Sequence, residues 1–278
     1  MPTLWSGTLR KMRVQDTRPV TYWLADGYYD REARGPDRQL NEFLGQRLSI
    51  RFTGSITCVY CGRRTQKSFG EGFCYPCFRA RAEADVCIVK PELCHYFDQN
   101  DPCRDDEFAR SHCFQPHILY VSLTSGRKVG ITRKVNLPAR WIDQGAVGAI
   151  PLAEMASRRD VGLIEHRLSR QFRDKTHWMT MLKTENPDGD LRARADEIVE
   201  ILGQWSVAGI LPAGERLASR FEYPVLKYPD KVVSHNLDRL AACGGLLLGI
   251  KGQYLIFDTG VINLRKYTGY AVEVAAEA

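Results

Sequence analysis

Residues 1–56 show strand-like pieces, "GTLRKMRV", "VTYWLA" and "RLSIRFTGSI", the last alternating apolar and polar positions with the period of a half-buried strand. Between them "DGYYDREARGPDRQLN" is polar and rich in breakers, which predicts a loop. The C-terminal stretch "GGLLLGIKGQYLIFDTGVINLRKYTGYAVEV" has the same character, with short strands broken at Gly252, at the turn Asp258-Thr259-Gly260 and at Gly269. Neither end carries the apolar mass for a core of its own, so the N-terminal strands are expected to join the C-terminal ones in a small antiparallel sheet or barrel.

The middle of the chain mixes two periods. "HILYVSL", "TSGR" and "KVGIT" predict a β-hairpin with a Ser-Gly turn. Asn136 is placed to cap, and Pro138 to open, a short helix in "NLPARWIDQGA". "AIPLAEMAS" alternates as a third strand. "RDVGLIEHRLSRQFRD" then sets Val161, Ile164, Leu168 and Phe172 on one helical face, with Glu165 at its edge. A further amphipathic helix over 191–206 aligns Leu191, Ile198, Leu202 and Trp205, and Asp188 or Asp190 can cap it.

The fold class predicted is α+β in several modules: N-terminal strands (1–56), a cysteine-rich region (57–116), a mixed core (117–185), a helical linker (186–219) and C-terminal antiparallel strands (220–278). With 278 residues, 44% hydrophobic and 26% charged, the chain has the material for real cores. Its start lacks the positive-then-apolar plan of a secretory signal, and runs such as "LLLGI" fall far short of a membrane span. A cytoplasmic location is therefore expected, where reduced thiols serve as metal ligands rather than disulfides.

That matters because eight of the nine cysteines lie between 58 and 113. In "CVYCGRRTQKSFGEGFCYPC" two Cys-x-x-C pairs, Cys58/Cys61 and Cys74/Cys77, can each bend around one ion and together close a tetrahedral thiolate site, the geometry of structural zinc. Gly62 and Gly72 stand where such turns need positive φ. Cys87, Cys94, Cys103 and Cys113 are spaced more loosely, with His95 beside Cys94. A second zinc held by four thiolates, or by three and His95, is expected here. Packed or redox-active thiols are the alternative, and an iron–sulfur cluster fits any four-cysteine set. Cys243, alone, reads as a small buried residue. "GGLLLGIKG" is not a phosphate loop, because Ile250 separates Gly249 from Lys251 and no hydroxyl residue follows.

Charge is unevenly placed. Residues 57–81 carry a net +4, residues 82–116 a net −5 and residues 117–185 a net +6, within a total of +6. Positive charge clustered on compact modules suits a polyanion, so DNA or RNA is the expected partner and a membrane is not. The acidic segment and the C-terminal strands would be the contact surfaces of an adaptor that touches protein instead.

The order "ILY", "KVGIT", Arg140 and Glu165 resembles the GIY-YIG nuclease fold, closest to the branch whose second strand reads Lys-hydrophobic-Gly followed by Thr. The resemblance implies that Tyr120 helps activate the nucleophile and that Arg140 holds the scissile phosphate. It also implies that Glu165 binds a divalent ion, magnesium or manganese, and that Gly130 lets the backbone approach closely. Lys128 stands where the family has its second Tyr and would be a further positive contact. An enzyme built this way is an endonuclease; the alternative is a non-catalytic, zinc-stabilised binding module. The longer blocks "CGRRTQKSFGEGFCYPCF", "KVGITR" with "RWIDQGA", and "KVVSHN" with "GIKGQYLIFDTGVINLRKYTGY" are similar to an uncharacterised bacterial zinc-binding family catalogued as a domain of unknown function.

Overall fold

A computed structural model describes residues 2–26, 37–172 and 177–276. Most of the predicted loop at 26–41, and the far end of the predicted helix that runs to residue 174, lie outside the described residues. In chain order the first strands are β1 (Thr3–Thr8), β2 (Arg13–Gln15), β3 (Thr21–Leu24), β4 (Arg38–Gln39), β5 (Arg47–Thr57) and β6 (Arg64–Thr65). Helix α1 (Tyr75–Ala80) and helix α2 (Asp106–Phe108) follow. The middle continues with β7 (His117–Leu123), β8 (Arg127–Arg133), α3 (Ala139–Asp143), β9 (Gly148–Met155), α4 (Arg158–Ser169), α5 (Trp178–Met181), α6 (Leu191–Gln204) and β10 (Ser219–Arg220). The chain closes with β11 (Ala242–Lys251), β12 (Tyr254–Phe257), β13 (Gly260–Asn263) and β14 (Tyr270–Ala276). The fold is thus mixed α/β, with antiparallel sheets dominating and few long helices.

The chain divides into two compact units, 1–80 with 222–278, and 81–221. In the first unit one sheet runs β1-β14-β5-β11-β12-β13, with β6 against β5, and every pair is antiparallel. Leu48 and Ile50 of β5, Val272 and Val274 of β14 and Leu247 of β11 turn inward on alternate positions and are buried. The predicted strand over 7–14 is interrupted. Leu9 exchanges backbone bonds with Gly269 and Tyr270. Met12 is tied on both its N–H and its C=O by the amide of Gln253, at 2.7 and 3.2 Å. Both bonds aim away from a β1–β2 ladder, so the extended pattern survives while the strand does not.

In the second unit a four-stranded sheet runs β10-β9-β7-β8. Leu119, Val121, Val129, Ile150 and Leu152 of this sheet pack with Val161 and Leu168 of α4 and with Ala195, Ile198 and Leu202 of α6. Ser157 caps α4 through the Asp160 N–H at 3.1 Å, and Asp190 caps α6 through the Ala193 N–H at 3.0 Å. The cap predicted for Asn136 is not formed: that residue ends a 3-10 turn, and Pro138 itself precedes α3 without a side-chain cap.

The segment before the sheet is irregular, made of single 3-10 turns at Val86–Ile88 and Pro91–Leu93. It is docked on α4 at three successive turns of that helix. Arg158 donates to the Ile88 carbonyl, Gly162 lies under Pro91, and His166 Nδ1 is 3.5 Å from Glu92 Oε1. Positions 158, 162 and 166 share one helical face, so a single stripe of α4 holds the irregular segment.

Candidate metal centres and the strand–helix core

The first cysteine group is built by a hairpin and a helix start. β5 ends at Thr57, and the chain turns back so that Gly62 N–H bonds Cys58 O at 2.9 Å and Cys58 N–H bonds Arg63 O at 2.8 Å. Gly62 makes that turn at φ 71°. The second pair sits where Gly72 (φ 110°) leads into α1, with Cys77 in the helix's first turn and Phe78 N–H bonded to Cys74 O at 2.8 Å. A Cβ on Gly72 would come within 2.6 Å of Val59 and 2.8 Å of Thr268, so this position accepts only glycine.

The four sulfurs of Cys58, Cys61, Cys74 and Cys77 all lie within 4.8 Å of one another, and Cys61 and Cys74 are 3.8 Å apart. Such a group can hold a metal ion such as zinc. Burial pushes the Cys58 thiol up, but backbone N–H groups of Cys61, Cys74 and Tyr60 outweigh it and bring it down to about 7. Burial, followed by the crowding of the other sulfurs, pushes Cys77 well above the ordinary thiol range. An ion bound here would draw the protons from the thiols, which is how a thiolate site couples metal uptake to proton release.

Among the described residues one other set of three metal-ligating side chains comes together, and it includes an acid that the cysteine spacing does not point to: Asp85, Cys87 and His95, with ligand atoms within 4.8 Å of one another. Cys94, Cys103 and Cys113 belong to neither group, although Cys94 and Cys113 are within electrostatic reach of Cys87. Burial and then the Asp85 charge push the Cys87 thiol up to about 12. The Asp101 carbonyl and Asp85 hold the His95 pKa above its usual value. Cys243 is buried in β11, its thiol raised to about 12 by burial alone.

In the 117–185 module Tyr120 is wholly buried, donates its hydroxyl to Gln144 Oε1 at 2.9 Å and meets Trp141 edge-on at 5.7 Å. It pairs across the ladder with Gly130, whose missing side chain leaves room for the phenol: a Cβ there would be 2.7 Å from the hydroxyl. Strand alternation puts Tyr120 on the sheet face opposite Leu119 and Val121, and it is those two that pack toward α4, the helix of Glu165. Tyr120 and Glu165 thus approach the sheet from different sides. Lys128 is half-buried on the edge strand β8 and helps line a cavity of about 350 Å³ together with Arg127, Phe172 and Arg194. Arg140, half-buried in α3, lies within electrostatic reach of Arg158. Burial lowers the pKa of Arg158, and repulsion from Arg140 and Arg133 lowers it further, so three guanidinium groups gather at this end of the module.

His117, at the start of β7, is fully buried. Its Nδ1 donates to Gln115 O at 2.7 Å, and its Nε2 meets no hydrogen-bond partner among the described residues. Burial, with repulsion from Arg158 and Arg133, drops its pKa to about 4. The unfolded chain, titrating near 6.5, then binds the proton that the folded chain refuses, so stability is complete above pH 6.5 and is lost as pH falls toward 4. We expect about 2 kcal/mol of this loss between pH 7 and pH 5. In chemical denaturation at both pH values, His117→Leu should flatten that difference. An unchanged pH dependence in the variant would assign it to other groups.

Among the described residues no helix is long and apolar enough to cross a membrane. No curated protein matches the chain, and no solved structure does. Residues 45–272 match the family model described as "Protein of unknown function (DUF2797)", and the chain belongs to that family.

Proposed function

We propose that this protein is a zinc-binding, nucleic-acid-interacting protein whose 117–185 module is a GIY-YIG-like core, in its enzymatic form a magnesium- or manganese-dependent phosphodiesterase. The observation that carries this reading is the surface around the four-thiol group. Arg63 directly follows the first turn, Arg64 stands on β6, Lys67 in the loop beyond it and Arg79 in α1; all four are exposed, as is Tyr75 at the start of α1, whose ring meets Phe69 at 5.4 Å. Exposed cations and a partly open aromatic ring on one small thiol-bearing module offer a phosphate backbone its counter-charges and a base a stacking face. Thiolate ligands and a closed four-fold set favour zinc in a structural role, with no position left for water.

For catalysis, the reading assigns Arg140, in its company of Arg133 and Arg158, to the phosphate, and Lys128 to a further phosphate contact. Glu165 would hold the divalent ion, and Tyr120 would act as base or relay. The non-catalytic alternative draws on the placement of Tyr120 on the sheet face opposite the helix of Glu165, on its enclosure with the hydroxyl already committed to Gln144, and on lysine in place of a second tyrosine.

The test is binding and cleavage of labelled DNA and RNA by the whole protein. Binding should weaken steeply as salt rises. Charge reversal in Arg63→Glu with Arg64→Glu should lower affinity at least about tenfold and reduce the salt slope by about two. With Mg²⁺ or Mn²⁺ present, Glu165→Ala should abolish cleavage while leaving zinc content intact. Binding without cleavage across several substrates and both metals selects the non-catalytic form. Unmeasurable affinity for either polymer at low salt rejects nucleic acid altogether.

A further inference from the structure

We infer that Asp85, Cys87 and His95 form a second metal site of mixed oxygen, sulfur and nitrogen ligands, chemically distinct from the four-thiol site and independent of whether the protein binds nucleic acid. The geometry begins at His95. Its Nδ1 lies 2.5 Å from the backbone carbonyl of Asp101. A carbonyl can only accept, so Nδ1 carries a proton, and Nε2 is the ring nitrogen left to face a metal. That nitrogen lies 3.5 Å from Asp85 Oδ1, with the Cys87 sulfur in the same cluster. Three potential ligands of three chemical kinds thus converge, and a cation that displaces the thiol proton would bind all three.

The neighbouring groups hold these donors in place. The other carboxylate oxygen, Asp85 Oδ2, is 3.1 Å from Arg104 Nη2, and Oδ1 accepts the Cys87 N–H at 3.3 Å. The Asp85 side chain is only 5% exposed, so its charge is removed from water and aimed inward. A carbonyl behind an imidazole and an arginine behind a carboxylate are the outer contacts that fix ligand tautomer and orientation at metal centres. A divalent ion bound to one thiolate and one carboxylate leaves the centre neutral, and Arg104 fixes the carboxylate through its other oxygen. The His/Cys/carboxylate donor set suits zinc; Cys94 and Cys113 lie within electrostatic reach of Cys87 but outside the cluster. The ligands flank the segment 88–92 that α4 holds in place, so the ion would pin both ends of that docked stretch.

Metal content of the whole protein, followed by replacement with Co²⁺, tests the assignment. Two ions per chain are expected. Asp85→Asn, which keeps size and the bond to the Cys87 N–H, and His95→Gln should each drop the count toward one, leaving the sulfur-to-cobalt charge-transfer band nearly intact. Cys87→Ser should also lose that ion, and the band should fall only by the share of one thiolate against the four of the first site. A wild-type count of one ion would overturn the inference. So would two ions kept by the Asp85 and His95 variants but lost on Cys94→Ser, Cys103→Ser or Cys113→Ser, since that pattern describes an all-thiolate centre.

Discussion

Replacing Cys58 by serine is expected to strip the first ion and lower the thermal midpoint by about 10 °C, from a loss of about 3–5 kcal/mol. An ion held by the four thiols would do more than join two side chains. It would close the turn between β5 and β6 to the start of α1, and the strand it would anchor, β5, lies between β14 and β11 in the sheet of the first unit. Cys58 is completely buried and Cys74 nearly so, so without an ion these thiols would sit desolvated, their turns held by backbone bonds such as Val59 N–H to Gly72 O at 2.9 Å. A control separates metal from burial. Cys243→Ser alters another buried thiol, one that belongs to neither metal group, and should cost no more than about 2 kcal/mol with full metal content. A strong chelator should bring the wild type to the midpoint of Cys58→Ser and leave that variant unmoved. If Cys58→Ser melts with the wild type, and a chelator changes neither, the thiol group is not a structural metal centre.

A second substitution should reverse an ordinary rule. Glycine inside a helix normally costs about 1 kcal/mol against alanine, so Gly162→Ala in α4 would be expected to stabilise. Here the added methyl would overlap the Pro91 Cβ and press within 3.4 Å of its carbonyl carbon. Pro91 is buried and its ring cannot swing aside, so the clash should move the backbone of the docked segment. We expect a net loss of about 3 kcal/mol. Because that segment carries Cys87 at one side and His95 at the other, retention of the second ion should weaken as well. Gly203→Ala on α6 is the matched control. A Cβ there meets nothing within 4 Å, and the ordinary gain of about 1 kcal/mol should appear. Denaturant midpoints of the two variants should therefore move in opposite directions. Movement in the same direction would mean that α4 and the segment are not packed as described.

Much of the local structure could be read in advance. Period-two alternation marks β5, where Leu48, Ile50 and Ile56 are buried, and the turn residues around it mark the strand β14, buried at every second position. The 3.6-residue stripe marks α4 and α6, with Asp190 as the α6 cap. Alternation was blind to Leu9 and Met12, where an amide 241 residues away replaces a strand neighbour. It also misplaced the cap at Asn136, because the chain takes a 3-10 turn there before α3 begins.

The metal centres divide in the same way. The two Cys-x-x-C pairs announce themselves, since a ligand pair two residues apart must bend around one point whatever surrounds it. Asp85 carries no such mark. It lies among eight acids in residues 82–116, and nothing in its spacing separates it from the solvated ones. Only the fold buries it, backs it with Arg104 and turns it toward His95.

What the sequence by itself determined is therefore what short-range geometry governs: element periods, the four-thiol turn and the alternation of charge between modules. Only the tertiary structure decided which distant strands share a sheet, that Tyr120 is enclosed against Gln144, and that an aspartate joins Cys87 and His95. The reason is physical. Turns and periods depend on neighbours a few bonds away, whereas burial and ligand convergence depend on which surfaces meet once the chain has closed its long loops.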